Sequence, residues 1–217
     1  MPQDLKQVFD RIAPSWYNYR HHTIFRTELE GLAQKWQGGR LLNIGCGHGA
    51  DFLPFKTGYE LHGIDFSEGM LQQAQRYATK FNLPVNLVTA DIRNLPYAND
   101  IFDYAIGIAT YHHLETKDRL PALQELKRVL KPGGQSYITV WNRYQPRFWF
   151  KRQQLFVPWK MKNETLYRYY NLFTRGQLVS VIRKAGFEIL SVGAESNCQR
   201  ALIPFSKNIC VLVRKQV

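Results

Sequence analysis

The sequence predicts an α/β fold, a mostly parallel sheet with helices on both faces. Short apolar runs alternate with amphipathic stretches between residues 40 and 141, the pattern of βαβ units. The first run enters a glycine-rich turn, Gly45-Cys46-Gly47-His48-Gly49, and the next two end in acids, Asp65 and Asp91.

Each element can be read in order. Asp4 to Trp36 reads as helical, with Leu5, Val8, Phe9 and Ile12 on one face, a break at Pro14, and a resumption through Ile24, Leu29 and Leu32. Gly38-Gly39 ends it. Strands are expected near 40–45, 60–65, 85–90, 102–109 and 134–141, and helices near 48–56, 68–82 and 116–130. Lys131-Pro132-Gly133-Gly134 reads as the turn before the fifth strand. After Trp141 the rhythm stops. Residues 142–173 are aromatic, basic and weakly periodic, too rich in Trp, Tyr and Phe for disorder, so they are expected to form an insertion over the active site. A helix at 174–185, capped by Thr174, and strands at 187–194 and 208–214 close a single domain spanning 1–217. Its parts are a helical cap (1–39), a ligand-binding core (40–141), the insertion (142–173) and a C-terminal helix with strands (174–217).

Composition narrows the function classes. With 217 residues, 45% of them hydrophobic, the chain can bury one substantial core. No run approaches the roughly 18–20 apolar residues of a membrane span, and the first residues lack the pattern of a secretion signal. A cytoplasmic protein is expected. Cys46, Cys198 and Cys210 are odd in number and form no CxxC pair, which argues against a disulfide framework and a protein-borne zinc site. The net charge of +12 is unevenly spread: residues 1–141 hold 15 Lys+Arg against 14 Asp+Glu, and residues 142–217 hold 14 against 3. A balanced part joined to a strongly basic one suggests a cofactor domain carrying a surface for a polyanion.

Glycine lets the turn approach a ligand without a Cβ clash. Asp65 follows Gly49 by 16 residues, where an acid can hydrogen-bond ribose hydroxyls. The glycines are spaced GxGxG, not GxGxxG, and no pyrophosphate cradle follows, which argues against nicotinamide chemistry.

From 40 to 141 the chain resembles the class I S-adenosylmethionine-dependent methyltransferases, through Leu41-Leu42-Asn43-Ile44-Gly45-Cys46-Gly47-His48-Gly49, His62-Gly63-Ile64-Asp65, Thr89-Ala90-Asp91-Ile92 and Tyr111-His112-His113-Leu114. The resemblance implies a Rossmann-like seven-stranded sheet of order 3-2-1-4-5-7-6. It also implies S-adenosylmethionine as cofactor, with Gly45, Gly47 and Gly49 along its methionine, Asp65 on its ribose, and Asp91 with Ile92 at its adenine. Asn43, Cys46, Phe66, Met70 and Ala109 complete the implied binding set. Asn43 stands where the family carries an acid, so it brings no charge to the cofactor's amino group.

The flanks Val8-Phe9-Asp10-Arg11-Ile12-Ala13-Pro14 with Tyr19-Arg20, Val140-Trp141-Asn142-Arg143-Tyr144-Gln145, Val157-Pro158-Trp159 and Tyr167-Arg168-Tyr169-Tyr170-Asn171-Leu172-Phe173 resemble the tRNA wobble-uridine carboxymethyl O-methyltransferases. Those enzymes esterify 5-carboxymethyluridine in an anticodon loop. Tyr144, Asn171 and Lys207-Asn208-Ile209 depart from that family's pattern. The resemblance implies a tRNA anticodon loop as partner, together with a small zinc-binding activator protein, and neither DNA nor a membrane. A carboxylate is already charged at neutral pH, so an orienting cation matters more than a base. Arg168 is the first candidate and Arg20 the second, with Tyr169 beside them. His112 is a further catalytic candidate. Adjacent residues of a strand face opposite ways, so His112 and His113 are not expected to share a metal. Two alternatives stay open, a small-molecule methyltransferase acting on a quinone or lipid precursor and an RNA-binding protein without catalysis.

Overall fold

The computed structural model describes residues 4–196 and 204–216; Cys198 lies outside them. Nine strands and five α-helices are seen among the described residues. α1 (Leu5–Tyr19) and α2 (Arg26–Trp36) lead into β1 (Gly39–Ile44), β2 (Tyr59–Asp65), α3 (Glu68–Phe81), β3 (Val85–Thr89), β4 (Phe102–Ile108), α4 (Arg119–Val129) and β5 (Leu130–Trp141). A hairpin of β6 (Gln154–Lys160) and β7 (Thr165–Asn171) follows, then α5 (Arg175–Lys184), β8 (Phe187–Gly193) and β9 (Asn208–Lys215). The large sheet runs β3-β2-β1-β4-β5-β9-β8, with β9 antiparallel to both its neighbours. With the hairpin counted apart, this is the expected order 3-2-1-4-5-7-6.

Successive side chains of a buried strand pack on opposite faces. Leu41 joins Phe55, Leu61 and Tyr77 under α2 and α3, while Leu42 joins Leu123, Leu126 and Ile182 under α4 and α5. Ser67 caps α3 by accepting from the Met70 amide at 3.0 Å, and Thr174 caps α5 in a reciprocal pair with Gln177. No helix of the described residues is long and apolar enough to cross a membrane.

Four local readings are corrected. α1 runs through Pro14, because Val8, Phe9, Ile12, Ala13 and Tyr17 are buried along it and this packing outweighs one missing N–H; the chain breaks at 20–25 instead. The expected helix near 48–56 is a 3₁₀ segment at Ala50–Phe55. β5 begins at Leu130, so Lys131-Pro132-Gly133-Gly134 is an irregular stretch within the strand, opposite a register shift between Phe102 and Tyr104. The insertion is not irregular throughout. Its hairpin went unread because Pro158 interrupts β6, which is tolerable in a two-stranded ribbon with a free edge.

Candidate active site

The parallel strands β1 to β4 end on one cavity of about 600 Å³, within the size of small-molecule sites. Its floor is the glycine turn, Asp65, Phe66, Asp91, Ile92 and the stretch from Ile108 to Thr110. α1 covers it with Phe9, Trp16 and Arg20, and the hairpin adds Phe156, Tyr169 and Tyr170. α1 is held over the site by Asp10, whose Oδ1 accepts from the Ser67 hydroxyl at 2.7 Å and the Gly69 amide at 2.9 Å.

Gly45 (φ +65) and Gly47 (φ +54) occupy the left-handed region. A Cβ on Gly45 would come within 2.5 Å of the Thr110 side chain, whereas one on Gly47 would meet nothing within 4 Å and would project into open space. The Asp65 carboxylate accepts from the Gly47 amide and the Ser67 amide, both at 2.9 Å. Burial raises Asp65 to about 6, although those two amides oppose the shift. Asp91 holds Arg93 through its backbone and side chain, and this pairing lowers its pKa. Open space at Gly47 beside a carboxylate fixed by two amides fits the ribose and methionine of the implied cofactor. Met70, Cys46 and Ala109 (φ +55) also line the cavity. The Cys46 thiol is raised well above its ordinary pKa by burial, so it lacks the thiolate character of a nucleophile.

Two expected cofactor residues are placed elsewhere. Asn43 is fully buried in the sheet, off the cavity wall, and neither amide atom has a hydrogen-bond partner. Gly49 (φ +86) is also off the wall; a Cβ there would lie 3.5 Å from Ala74 and Phe52, so the glycine seats the turn against α3. Sequence reading missed Asp51, a half-buried carboxylate on the wall, raised to about 6 by desolvation and hydrogen-bonded to the Thr23 side chain near Arg20. Its signal was an acid immediately after the glycine turn in an otherwise apolar segment.

At the far end of the cavity, His112 and His113 occupy a 3₁₀ turn at Tyr111–His113 instead of a strand. Both line the cavity, with ring centroids 4.6 Å apart, so the expectation that they face opposite ways is corrected. His112 Nδ1 accepts from the Trp141 amide at 3.1 Å, and His113 Nδ1 donates to the Tyr169 carbonyl at 2.8 Å. Burial lowers His113 to about 4 and His112 well below the usual imidazole value, so both are neutral at pH 7. Neutral His112 serves as a packing partner of Tyr170, stacked at 4.9 Å.

Arg20 lies on the wall, its Nε buried without a partner and its guanidinium 4.9 Å from the Trp16 ring centre. Arg168 is not on the wall. It is buried behind Trp16 and Tyr170, donates to the Tyr170 hydroxyl at 3.0 Å, and leaves its Nε unpaired. Neither arginine has an acidic partner in any ion pair of the described residues.

The family described as methyltransferase domain matches residues 41–134. The tRNA (carboxymethyluridine(34)-5-O)-methyltransferase of Schizosaccharomyces pombe is 27% identical over 215 residues, covering 86% of this chain and 90% of that protein. The 2-phytyl-1,4-naphtoquinone methyltransferase of Nostoc punctiforme is 33% identical over 160 residues, 66% of each. A solved S-adenosylmethionine-dependent methyltransferase from Clostridium acetobutylicum superposes with a TM-score of 0.76 at 14% identity, over 96% of this chain and 99% of that one. The chain spans only 33% of the length of the probable tRNA methyltransferase 9B of Homo sapiens and 32% of that of Mus musculus, to which it is 30% and 34% identical. The family match covers the very strands and glycine turn that build the cavity floor, and the chain accordingly carries a methyltransferase domain on a Rossmann-like α/β fold.

Proposed function

We propose that this enzyme methylates the carboxylate of 5-carboxymethyluridine at the wobble position of tRNA. The observation that carries this reading is Arg20 on the cavity wall, its Nε buried without a hydrogen-bond partner and its guanidinium in no ion pair of the described residues, with the buried Arg168 behind it. Burying an unpaired guanidinium donor is costly, and an anionic acceptor supplies the missing partner. Two further features support RNA. The insertion exposes Tyr144, Trp149, Phe150 and Phe156 among exposed Arg147, Lys151 and Arg152, the mixture of stacking and phosphate-binding groups that suits a single-stranded loop. The relatives named for this reaction match along most of the chain.

The bound cofactor supplies an electrophilic methyl group on a sulfonium. Asp65 would hold its ribose, Asp91 and Ile92 its adenine, and Gly45 and Gly47 its methionine, and Asp51 on the same wall would offer its amino group an acid. A carboxylate nucleophile needs no general base at neutral pH, which agrees with two histidines kept neutral and engaged in packing. Arg20 orients the carboxylate, Arg168 adds to the positive potential through the aromatic wall, and Phe9, Trp16 and Tyr170 exclude water, so positioning supplies most of the rate. Tyr169 borders the acceptor.

The similarity to a quinone methyltransferase supports a second reading, a small apolar acceptor beneath the same aromatic wall. Mass spectrometry of nucleosides separates the two. Carboxymethyl-containing tRNA incubated with protein and S-adenosylmethionine is expected to yield the methyl ester, and transfer only to a quinone or lipid extract would favour the second reading. The incubation is run with and without a small zinc-binding activator, the partner that the resemblance implies, in the cytoplasmic setting where tRNA is matured.

A further inference from the structure

A second cleft, of about 460 Å³, adjoins the cofactor cavity and shares its Phe156 and Tyr169 wall. It opens between the hairpin, the first turn of α5 and the segment at Thr116, with Arg152 at its margin and Asn171 lining it. Most of its polar groups are engaged. Gln153 Nε2 donates to the Leu172 carbonyl at 3.0 Å and to Gln177 Oε1 at 3.1 Å. Asn171 Nδ2 donates to the Leu114 carbonyl at 3.2 Å and to Thr116 Oγ1 at 3.1 Å. Asn171 Oδ1 is the exception: the residue is fully buried, and this oxygen has no partner. An orphaned buried acceptor is destabilising unless a ligand donates to it.

The wall between the two cavities is also unusual. Phe156 is half exposed, with its ring centre 5.8 Å from that of Tyr169, so an apolar face is presented to both sides. Arg152 is exposed and belongs to no ion pair of the described residues.

We propose that this cleft is a second nucleotide subsite, which takes a base adjoining the one methylated, stacks it on Phe156 and accepts a hydrogen bond from its exocyclic amino group at Asn171 Oδ1. Arg152 meets the intervening phosphate. The subsite rests on the reading that RNA is the acceptor, and it gives that reading a rule of selection. Adenine and cytosine carry an exocyclic amino group on the same edge, where guanine, like uracil, carries a carbonyl. That carbonyl would face the Asn171 oxygen and leave it unpaired, and a site with an unpaired buried polar group discriminates strongly.

The test uses anticodon stem-loop RNAs that carry 5-carboxymethyluridine, with each flanking nucleotide in turn changed to uridine or to an abasic residue. At one flank, loss of the amino-bearing base is expected to lower kcat/KM about tenfold, the size of one base–aromatic stack. Phe156→Ala is expected to lower kcat/KM on the intact RNA and to abolish the difference between intact and abasic RNA. The exposed ring can be removed without opening the core, and thermal melting verifies the fold of that variant and of Asn171→Ala. Asn171→Ala should remove the discrimination against uridine while keeping that against the abasic site. Equal rates on all flanking variants, or a Phe156→Ala enzyme as sensitive as the wild type, would overturn the subsite and leave the acceptor reading intact. Transfer to no RNA at all would overturn both.

Discussion

The Gly47 amide donates to the Asp65 carboxylate at 2.9 Å, so the glycine turn after β1 and the end of β2 form one unit. The carboxylate that would face the ribose therefore also fixes the loop that would face the methionine. Asp65→Ala should weaken S-adenosylmethionine binding by about 1–3 kcal/mol through the ribose hydrogen bonds alone. Loss of the loop contact adds to that. Calorimetry on the purified variant measures it, and an unchanged dissociation constant would remove Asp65 from the site.

Asp51 and Asp65 are both raised to about 6 by burial, and both line the cavity. Hydrogen-bond donors of the cofactor require them ionised, so its affinity should be level above neutral pH and fall as pH drops through that value. Around Asp51 stand Arg20 and the Thr23 hydroxyl, which favour ionisation, with Tyr77 and Cys46 packed nearby. His48, lowered to about 4, titrates below this window. Asp51→Asn is expected to reduce affinity at neutral pH and flatten the profile. A wild-type affinity constant from roughly pH 5 to 8 would contradict the assignment.

The sheet and the cofactor end were legible in the sequence because backbone requirements fix them locally. A parallel strand buried on both faces reads as a continuous apolar run, and a glycine turn at φ > 0 admits few residues. The acceptor end was not legible in the same way. His112 and His113 were read as strand residues, since one sequence cannot show that the chain curls into a 3₁₀ turn after Ile108. The placing of Arg168 off the cavity wall and Arg20 on it was hidden for a related reason: β7 alternates, and the Arg168↔Val157 register places that side chain on the buried face of the hairpin. Asn43 and Gly49 fit the motif but lie off the wall, so a motif position is weaker information than a cavity position.

Stability should fall on acidification. His48 and His113 are lowered to about 4 and His112 lies further below, so each binds protons more readily when unfolded. Their contribution is complete above the unfolded value near 6.5 and is lost as pH falls toward 4, about 3 kcal/mol for each of the first two. Asp51 and Asp65 act oppositely, regaining a similar amount each between about 6 and 4. Three histidines outweigh two carboxylates. The depressed carboxylates Asp91 and Glu125 act in the same direction as the histidines. Thermal melting should show Tm declining from neutral to weakly acidic pH; a rising Tm would mean that the carboxylates dominate.

Arg20→Lys should lower the single-turnover rate on carboxymethyl-containing tRNA more than it lowers RNA affinity, because it keeps the charge but loses the planar fork. Arg168→Lys should lose less rate but more stability, since Arg168 packs against both the Trp16 and Trp159 rings and bonds to Tyr170. The reverse ranking would restore Arg168 as the direct carboxylate ligand.

Binding of tRNA should weaken steeply with salt as phosphate contacts release counterions. Charge reversal at the exposed Arg147, Lys151 and Arg152 should weaken it further with cofactor affinity unchanged. Filter binding across a salt series reads both effects, and a flat plot of log affinity against log salt would favour the small-molecule acceptor.

The β6–β7 hairpin pairs only with itself, outside the seven-stranded sheet, and packs on α1 and the Tyr111–His113 turn, with hydrogen bonds from Asn171 to Leu114 and Thr116 and from Arg119 to the Asn171 carbonyl. The Phe156, Tyr169 and Tyr170 part of the proposed acceptor wall is therefore carried on a piece of chain separate from the sheet, while Phe9, Trp16 and Arg20 enter from α1 and its C-terminal end. A lineage could reshape that part of the wall by exchanging residues 142–173 while β1 to β4 and the glycine turn persisted; relatives of one scaffold named for a quinone and for tRNA are the outcome such modularity permits.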